Sequence, residues 1–247
     1  MRILVVNPNT TASMTQTIAT AARAAAATGT IVDPLTSTMG PASIEGYYDE
    51  AFAVPGLLEA IRRGEREGAE AAIIACFDDT GLDAARAMAN IPVLGICEAA
   101  LSLTSIIASR FTVVTTSERS RVPVEDLVRR YGMARKARVR VAGVPVLALE
   151  DPTSGAVGKL RNEIALALEE DRAEAIVLGC AGMADLAASL QREFGVPVVD
   201  GVSAAVKQAE ALVSLGLSTS KRGAYAPPSA KPFDGLLSEF SLCEATN

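Results

Sequence analysis

The chain has 247 residues, of which 49% are hydrophobic, with a net charge of −6, four cysteines and no histidine. We do not expect an acidic chain without a concentrated basic footprint to bind nucleic acid. No apolar run reaches the roughly 18 residues of a membrane helix, and the chain starts on a strand rather than a signal peptide, so we expect no membrane partner and a cytoplasmic protein with reduced thiols.

Short apolar runs alternate with helical patterns along the first half of the chain. The predicted strands are Ile3–Val6, Thr30–Leu35, Ala71–Ala75 and Val93–Ile96. The predicted helices cover residues 11–27, 50–67 and 80–89. A long connection from Thr36 to Tyr48 separates the second strand from the second helix, and a loop of that length is more often functional than idle.

The same alternation returns after a crossing helix over residues 98–109. The predicted strands of the second half are Phe111–Thr115, Arg138–Val146, Ala175–Leu178 and Val196–Val199. The predicted helices cover residues 120–131, 153–170, 184–194 and 202–215. Strands that alternate with helices in this way indicate parallel sheets.

The two halves also repeat each other in sequence. Residues 69–76 read AEAAIIAC and residues 173–180 read AEAIVLGC, so each half ends a buried run on a cysteine. This duplication predicts an α/β fold of two pseudo-symmetric Rossmann-like lobes, with parallel sheets flanked by helices and the active site in the cleft between them. We expect residues 1–97 plus 206–247 to form the lobe that carries Cys76, and residues 98–205 the lobe that carries Cys180.

Cys76 and Cys180 are the leading candidates for catalysis. In parallel sheets, ligands bind at the carboxyl ends of the strands, where both cysteines lie. Each precedes the start of a helix, whose N–H groups and dipole are expected to lower the thiol pKa. In a chain without histidine, acid–base work falls to these thiols. The alternative is that both are small buried hydrophobic residues.

Several polar and aromatic residues are candidates for substrate binding. Asn7, Thr115 and Thr116 end strands equivalent to one another, and could hydrogen-bond a carbonyl group or a ring nitrogen. Ser43 lies in the long connection. Phe77 either walls the pocket or simply packs in the core.

The residues after each cysteine carry further candidates. Asp78 and Asp79 could cap the following helix, or Asp78 could contact a substrate N–H group or tune Cys76. The backbone N–H groups of Ala181 and Gly182 are candidate oxyanion donors, because small residues permit a close approach. Cys97 is expected to be a core residue.

The sequence offers little to bind a metal or a nucleotide. It has no histidine and no CxxC pair, so we expect no metal site. It contains neither a Walker-type loop nor a GxGxxG motif, so we expect no nucleotide cofactor.

Six motifs occur in order along the chain: NPNTT at 7–11, GPASIEGYYDE at 40–50, ACFDDTG at 75–81, VVTT at 113–116, LGCAGM at 178–183 and PVVDGV at 197–202. Together they resemble the hydantoin and allantoin racemase branch of the aspartate/glutamate racemase superfamily. The resemblance implies a cofactor-independent two-base racemase. One cysteine would be the base on one face of the substrate and the other the acid on the opposite face, namely Cys76 and Cys180. Such thiols need opposite protonation states and titrate as a coupled pair.

The chain departs from the pattern of the amino-acid racemases. Those proteins usually carry Thr and then His or Glu after the second cysteine, whereas Ala181 and Gly182 stand here. A small neutral cyclic ureide, either a 5-substituted hydantoin or allantoin, is therefore the expected substrate. Separately, the alanine-rich helices and the apolar tail indicate a homo-oligomer. The alternatives are an aspartate- or glutamate-type racemase, a related decarboxylase or isomerase, and a thiol redox sensor.

Overall fold

The computed structural model describes residues 1–151 and 153–241. Residues 242–247 of the predicted first lobe, with Cys243, lie outside the described residues. Within the described part of the chain, no helix is long and apolar enough to cross a membrane.

The first lobe is built on a four-stranded parallel sheet with the strand order β2-β1-β3-β4. Its strands are β1 (Arg2–Asn7), β2 (Ile31–Thr36), β3 (Ala71–Ile74) and β4 (Val93–Gly95). The helices of this half are α1 (Ala12–Ala25), α2 (Tyr47–Arg66), α3 (Leu82–Met88) and α4 (Ile96–Ile107).

The second lobe repeats this design with the strand order β6-β5-β7-β8. Its strands are β5 (Phe111–Thr115), β6 (Ala137–Val141), β7 (Ala175–Leu178) and β8 (Val198–Asp200). The helices are α5 (Glu118–Arg130), α6 (Ala156–Glu170), α7 (Ala187–Phe194) and α8 (Gly201–Ser214). Short 3-10 helices cover Val146–Glu150, Ala181–Leu186, Gly223–Tyr225 and Gly235–Phe240. The predicted two-lobed α/β fold is confirmed.

The central strands show why both sheets place a cysteine at the same point. Strands β1, β3, β5 and β7 are almost entirely buried, as expected of apolar runs covered by helices on both faces. Val6 of β1 pairs with Ile74 of β3, and Val114 of β5 pairs with Leu178 of β7. In each sheet the chain leaves the central strand towards one edge and returns on its other side. The carboxyl ends of these two strands therefore flank a switch point, where ligands bind in such sheets.

One apolar core runs through both lobes. It includes Ile3 and Val5 of the first sheet and Phe111 and Val113 of the second. Helices α4 and α8 pack against each other and supply residues to this core, among them the fully buried Cys97. The expected core position of Cys97 is thus confirmed. The boundary that we proposed at residue 206 falls inside α8, which also packs on α1, and the assignment of its C-terminal part to the first lobe stays a proposal.

The structure differs from the sequence prediction mainly where a strand or helix begins or ends. Strand β6 stops at Val141, whereas the prediction continued it to Val146. Gly143 has a φ of +67° and Pro145 follows, so the strand cannot continue. Helix α3 begins at Leu82 rather than Thr80, because residues 76–79 form a turn first.

The first part of the tail, residues 218–225, contacts the first lobe. The Lys221 ammonium donates to the carbonyl oxygen of Arg86 at 2.7 Å, and the Ser218 hydroxyl donates to that of Asn90 at 2.5 Å. The Tyr225 hydroxyl donates to Asp83 at 2.9 Å. These bonds tie the chain beyond α8 to helix α3 and the turn after it.

Candidate active site

Cys76 and Cys180 line the same cavity, which has a volume of about 40 Å³. Each is half-buried, so its sulfur is enclosed by protein but open to the cavity. Both lobes contribute to the wall. The lining residues are Asn9, Met14, Ile44, Ala75, Cys76, Phe77, Asp78, Thr116, Ser120, Val146, Gly179, Cys180 and Ala181.

The residue before each cysteine is held by an equivalent backbone bond. The N–H group of Ala75 donates to the carbonyl oxygen of Val6 at 2.8 Å, and that of Gly179 donates to Val114 at 2.9 Å. The two sites diverge in the available space. A Cβ atom on Gly179 would lie 2.9 Å from the Cα atom of Thr115, so only glycine fits there without a shift of the backbone. The equivalent backbone hydrogen bonds of Ala75 and Gly179 thus place the two following cysteines at the same point of each sheet.

Each sulfur accepts a backbone hydrogen bond from the residue two positions later. Asp78 provides that N–H group for Cys76, and Gly182 provides it for Cys180. Cys76 has one more donor, the hydroxyl group of Thr80, at 3.4 Å from the sulfur. The local environment of Cys76 is thus the more polar of the two.

The predicted lowering of the thiol pKa values is wrong. Burial raises the pKa of Cys76 well above its ordinary value and raises the pKa of Cys180 to about 12. The negative charge of Asp78 also raises the pKa of both thiols. Burial and this charge together outweigh the N–H and O–H donors, which lower the pKa. Both groups are therefore neutral thiols at neutral pH.

Asp78 is enclosed by protein except where it lines the cavity. Burial raises the pKa of its carboxyl group to about 7, and the nearby charge of Glu50 adds to that rise. Its carboxyl group accepts no hydrogen bond from any of the described residues. An acid without a partner beside two thiols can accept a donor from a ligand.

Asp79 has a structural task in place of the predicted one. Its carboxylate accepts the N–H groups of Cys97 and Glu98, both at 3.0 Å, and the Tyr131 hydroxyl at 2.7 Å. It thus caps helix α4 rather than the helix that follows it in sequence, and it binds the side chain that directly follows α5 in the second lobe. Asp79 itself has a φ of +46°, which turns the chain between Cys76 and α3.

Four of the eight predicted substrate-binding residues line the cavity, namely Phe77, Asp78, Thr116 and Ala181. Thr116 is buried, and its hydroxyl group makes no hydrogen bond within the described chain, so it is available to a ligand. Phe77 is both core and wall, since it is buried and also lines the cavity.

The other four predicted residues lie just behind or beside the cavity wall. The Asn7 amide donates to Asn9 at 2.8 Å and so holds a residue that does line the cavity. The Thr115 hydroxyl donates to the carbonyl oxygen of Gly179 at 3.2 Å. The Ser43 hydroxyl donates to Glu45 at 3.1 Å. Gly182 touches the site through its N–H group, which Cys180 accepts.

Sequence reasoning missed seven wall residues: Asn9, Met14, Ile44, Ala75, Ser120, Val146 and Gly179. Ala75 and Gly179 directly precede the two predicted cysteines. Asn9 belongs to the same motif as Asn7, and Ile44 is the neighbour of Ser43. In these two cases the predicted motif reaches the cavity, but a different residue of it lines the wall. Met14, Ser120 and Val146 carry no sequence signal, because they reach the cavity only through the packing of α1, α5 and the loop after β6.

The first N–H groups after the two cysteines are also available. Those of Phe77 and Ala181 make no backbone hydrogen bond within the described chain. Unpaired N–H groups at the start of a turn or helix favour negative charge. The described residues contain no cluster of three or more His, Cys, Asp or Glu side chains suited to a metal ion.

Solved structures of high similarity share this two-lobed fold. The chain is 48% identical to the allantoin racemase from Klebsiella pneumoniae, with a TM-score of 0.95 over 98% of this chain and 99% of that one. The fold and the site thus define a two-lobed α/β isomerase, a racemase.

Two relatives and a family model make the assignment specific. The chain is 48% identical to the hydantoin racemase of Pseudomonas sp. (strain NS671), over 100% of this chain and 99% of that protein. It is 51% identical to the hydantoin racemase of Rhizobium meliloti, over 95% of this chain and 98% of that protein. The model of the Asp/Glu/Hydantoin racemase family matches residues 3–209. The chain therefore belongs to the Asp/Glu/Hydantoin racemase family.

Proposed function

We propose that the chain racemises a 5-substituted hydantoin or allantoin by a two-base mechanism in which Cys76 and Cys180 act on opposite faces of the ring stereocentre. The observation that carries this proposal is that equivalent positions of two repeated lobes bring two thiols to one cavity. Inversion at a carbon requires a base on one face and an acid on the other, and a twofold repeat supplies that pair.

The chemistry needs one thiolate and one thiol. The thiolate removes the hydrogen from the stereocentre, so an S–H bond forms and the C–H electron pair moves into an enolate of the adjacent carbonyl group. The other thiol then gives its proton to the same carbon from the opposite face. The two sulfurs exchange protonation states in each turnover. Since both thiols are neutral at neutral pH, one of them first releases its proton to solvent.

The enolate oxygen needs hydrogen-bond donors. The N–H groups of Phe77 and Ala181 and the hydroxyl group of Thr116 are the unpaired donors that border the cavity. Donors fixed in place before the reaction stabilise a developing oxyanion more than water does. We assign them this role, with Gly182 supporting the sulfur of Cys180 rather than the oxyanion.

The charge of the site favours a neutral substrate over aspartate or glutamate. Asp78 is the one charged residue among the described residues that line the cavity, and no lysine or arginine is present there to pair with a substrate carboxylate. A dicarboxylic amino acid would bring two anionic groups beside an acid and two thiols. A hydantoin or allantoin ring instead presents N–H groups, which Asp78 can accept.

The test is the loss of optical rotation from enantiopure substrates without any oxidant or added cofactor. We expect turnover of hydantoins or allantoin and none of aspartate or glutamate. The double variant Cys76→Ser/Cys180→Ser measures the spontaneous rate, because hydantoins also racemise slowly in water. Turnover of the amino acids alone would overturn the substrate assignment. A reversible Cys76–Cys180 disulfide without turnover of any substrate would indicate a redox sensor.

A further inference from the structure

A second cavity of about 330 Å³ adjoins the catalytic one, and Asp78 lines both. It lies between the two lobes, with walls from the start of α2, from the turn before α3 together with α3, and from α5. Nothing in the two-base chemistry uses it. Its position makes it the next space that a substrate held between the thiols would enter.

The wall of this outer cavity is strongly acidic. Five carboxylates line it, and the single positive charge among its lining residues is Arg130. That guanidinium is already paired with Asp83. The acidic wall residues are Glu50, Asp78, Asp79, Asp83 and Asp126.

Three of the five acids already have partners. Asp79 holds the N–H groups at the start of α4, Asp83 binds Arg130 and Tyr225, and Asp126 binds Arg129 and lies 3.5 Å from the Tyr47 hydroxyl. These three carboxylates already have hydrogen-bond or ion-pair partners within the protein. They add to the negative potential of the cavity but are not free to accept a hydrogen bond from a ligand.

Glu50 and Asp78 are the unpaired acids. The Oε1 atom of Glu50 is closed off from solvent and has no hydrogen-bond partner within the described chain. The carboxyl group of Asp78 likewise accepts no bond from the described residues. Glu50 lies close enough for its charge to raise the pKa of Asp78. A buried acceptor without a donor is costly, so this pair is built to meet a donor from outside the protein.

We propose that the outer cavity takes the substituent on C5 of the ring and selects substituents that donate hydrogen bonds or carry a positive charge. The inference rests on the proposed function, since it assumes a ring held between Cys76 and Cys180. Glu50 would bind the far end of the substituent, while Asp78 lies at the junction of ring and substituent. An alkyl substituent would leave both acids unpaired, and an anionic one would be repelled.

Three enantiopure hydantoins of similar length test this proposal, with 4-aminobutyl, n-pentyl and 3-carboxypropyl groups on C5. The ammonium group is replaced by a methyl group in the second, and the terminal CH₂–NH₃⁺ unit is replaced by a carboxylate in the third. We expect kcat/KM to be at least about tenfold higher for the aminobutyl than for the pentyl substrate, in line with a charge-assisted bond. The carboxypropyl substrate should be the poorest.

The Glu50→Gln variant sharpens the test. It should remove most of the preference for the aminobutyl substrate, measured as the ratio of kcat/KM for the aminobutyl and pentyl substrates within the same variant. Glu59→Gln on the same helix, away from the cavity, is the matched control and should keep the preference. Equal kcat/KM for all three substrates, or a preference that survives in Glu50→Gln, would overturn this inference and leave the racemase intact. No turnover of any of the three, and none of allantoin either, would instead overturn the proposed function, and this inference with it.

Discussion

The two halves of the catalytic cavity share a backbone but differ in chemistry. Cys76 and Cys180 follow equivalent strands and each accepts an N–H bond from the residue two positions on. Around Cys76 the chain places an acid, Asp78, and a hydroxyl group from Thr80. At the equivalent positions after Cys180 stand Gly182 and an alanine, Ala184.

This difference separates what the repeat provides from what each lobe adds. The repeat places two sulfurs at one cavity, as inversion requires. The side chains added around Cys76 then act on the protonation of both thiols, because the charge of Asp78 reaches each of them. The two thiols thus have equivalent positions in the repeat but different neighbours.

Removal of either sulfur should have the largest effect. We expect Cys76→Ser and Cys180→Ser each to lower racemisation by about 10³-fold or more, because a serine hydroxyl is a far weaker acid and base than a thiol. In deuterated water each variant should still exchange hydrogen in the one enantiomer whose C–H bond faces the remaining thiol. NMR of each enantiomer measures this exchange, and polarimetry measures the racemisation.

Cys97→Ala is the matched control for the loss of a thiol. Cys97 is buried in the core and does not line the cavity. This variant should keep racemisation. Near-normal activity in both serine variants would end the two-base assignment.

The residue before each cysteine offers a second way to break the comparison. Gly179→Ala should destabilise the protein by about 1–3 kcal/mol and lower its activity, since the added methyl group meets the backbone of Thr115. The reciprocal change Ala75→Gly should cost only about 0.5–1 kcal/mol. Urea unfolding measures both. Equal costs would show that the two strand ends are not packed differently.

Replacing the shared acid should change both thiols at once. We expect Asp78→Asn to lower the pKa of Cys76 and of Cys180, because a negative charge that opposes each thiolate is removed. Both cysteines should then react several-fold faster with iodoacetamide at pH 8, as followed by mass spectrometry of each peptide.

The pH dependence gives the sign of this effect. The pKa of Asp78 is about 7, so its carboxyl group is charged above that pH and neutral below it. The difference between Asp78→Asn and the unmodified protein should therefore be largest above pH 7 and shrink as the pH falls through 7. Asp185→Asn, an exposed acid near Cys180, is the control and should change neither thiol. An effect of Asp78→Asn that grows at low pH would contradict the assignment.

The smallest expected effect concerns the hydroxyl group that only Cys76 receives. Thr80→Val removes the donor at 3.4 Å and keeps the shape of the side chain. It should raise the pKa of Cys76 and slow its alkylation slightly, with Cys180 unchanged. Ala184→Ser adds a hydroxyl group at the equivalent position and should act in the opposite direction on Cys180. A change at both thiols in either variant would mean that the two half-sites are not independent in this respect.

Much of the fold could be predicted because its signals are local. Strands β5 and β7 were predicted with the observed bounds, since each is an apolar run between polar residues. The end of β6 was missed, because the apolar residues continue past Val141 while the backbone turns at Gly143. The sequence shows the apolar run, but the strand ends where the backbone conformation changes, and the run does not reveal that point.

The part of the site that could be predicted is the part that the repeated strand ends supply. The cysteines and the residues next to them follow from the aligned strand ends. Met14, Ser120 and Val146 could not be found, because helix packing and a loop after β6 bring them to the cavity from distant parts of the chain.

By itself the sequence determined the duplicated α/β architecture, the two strand-end thiols and the resemblance to a racemase family, because strand periodicity and repeated motifs are local properties of the chain. Only the tertiary structure decided the protonation of those thiols and the surroundings of the two acids. Burial and neighbouring charge depend on what lies across the cleft, and here they raise the pKa values that the helix ends alone would have lowered. The same packing leaves Glu50 and Asp78 without donors beside an open cavity.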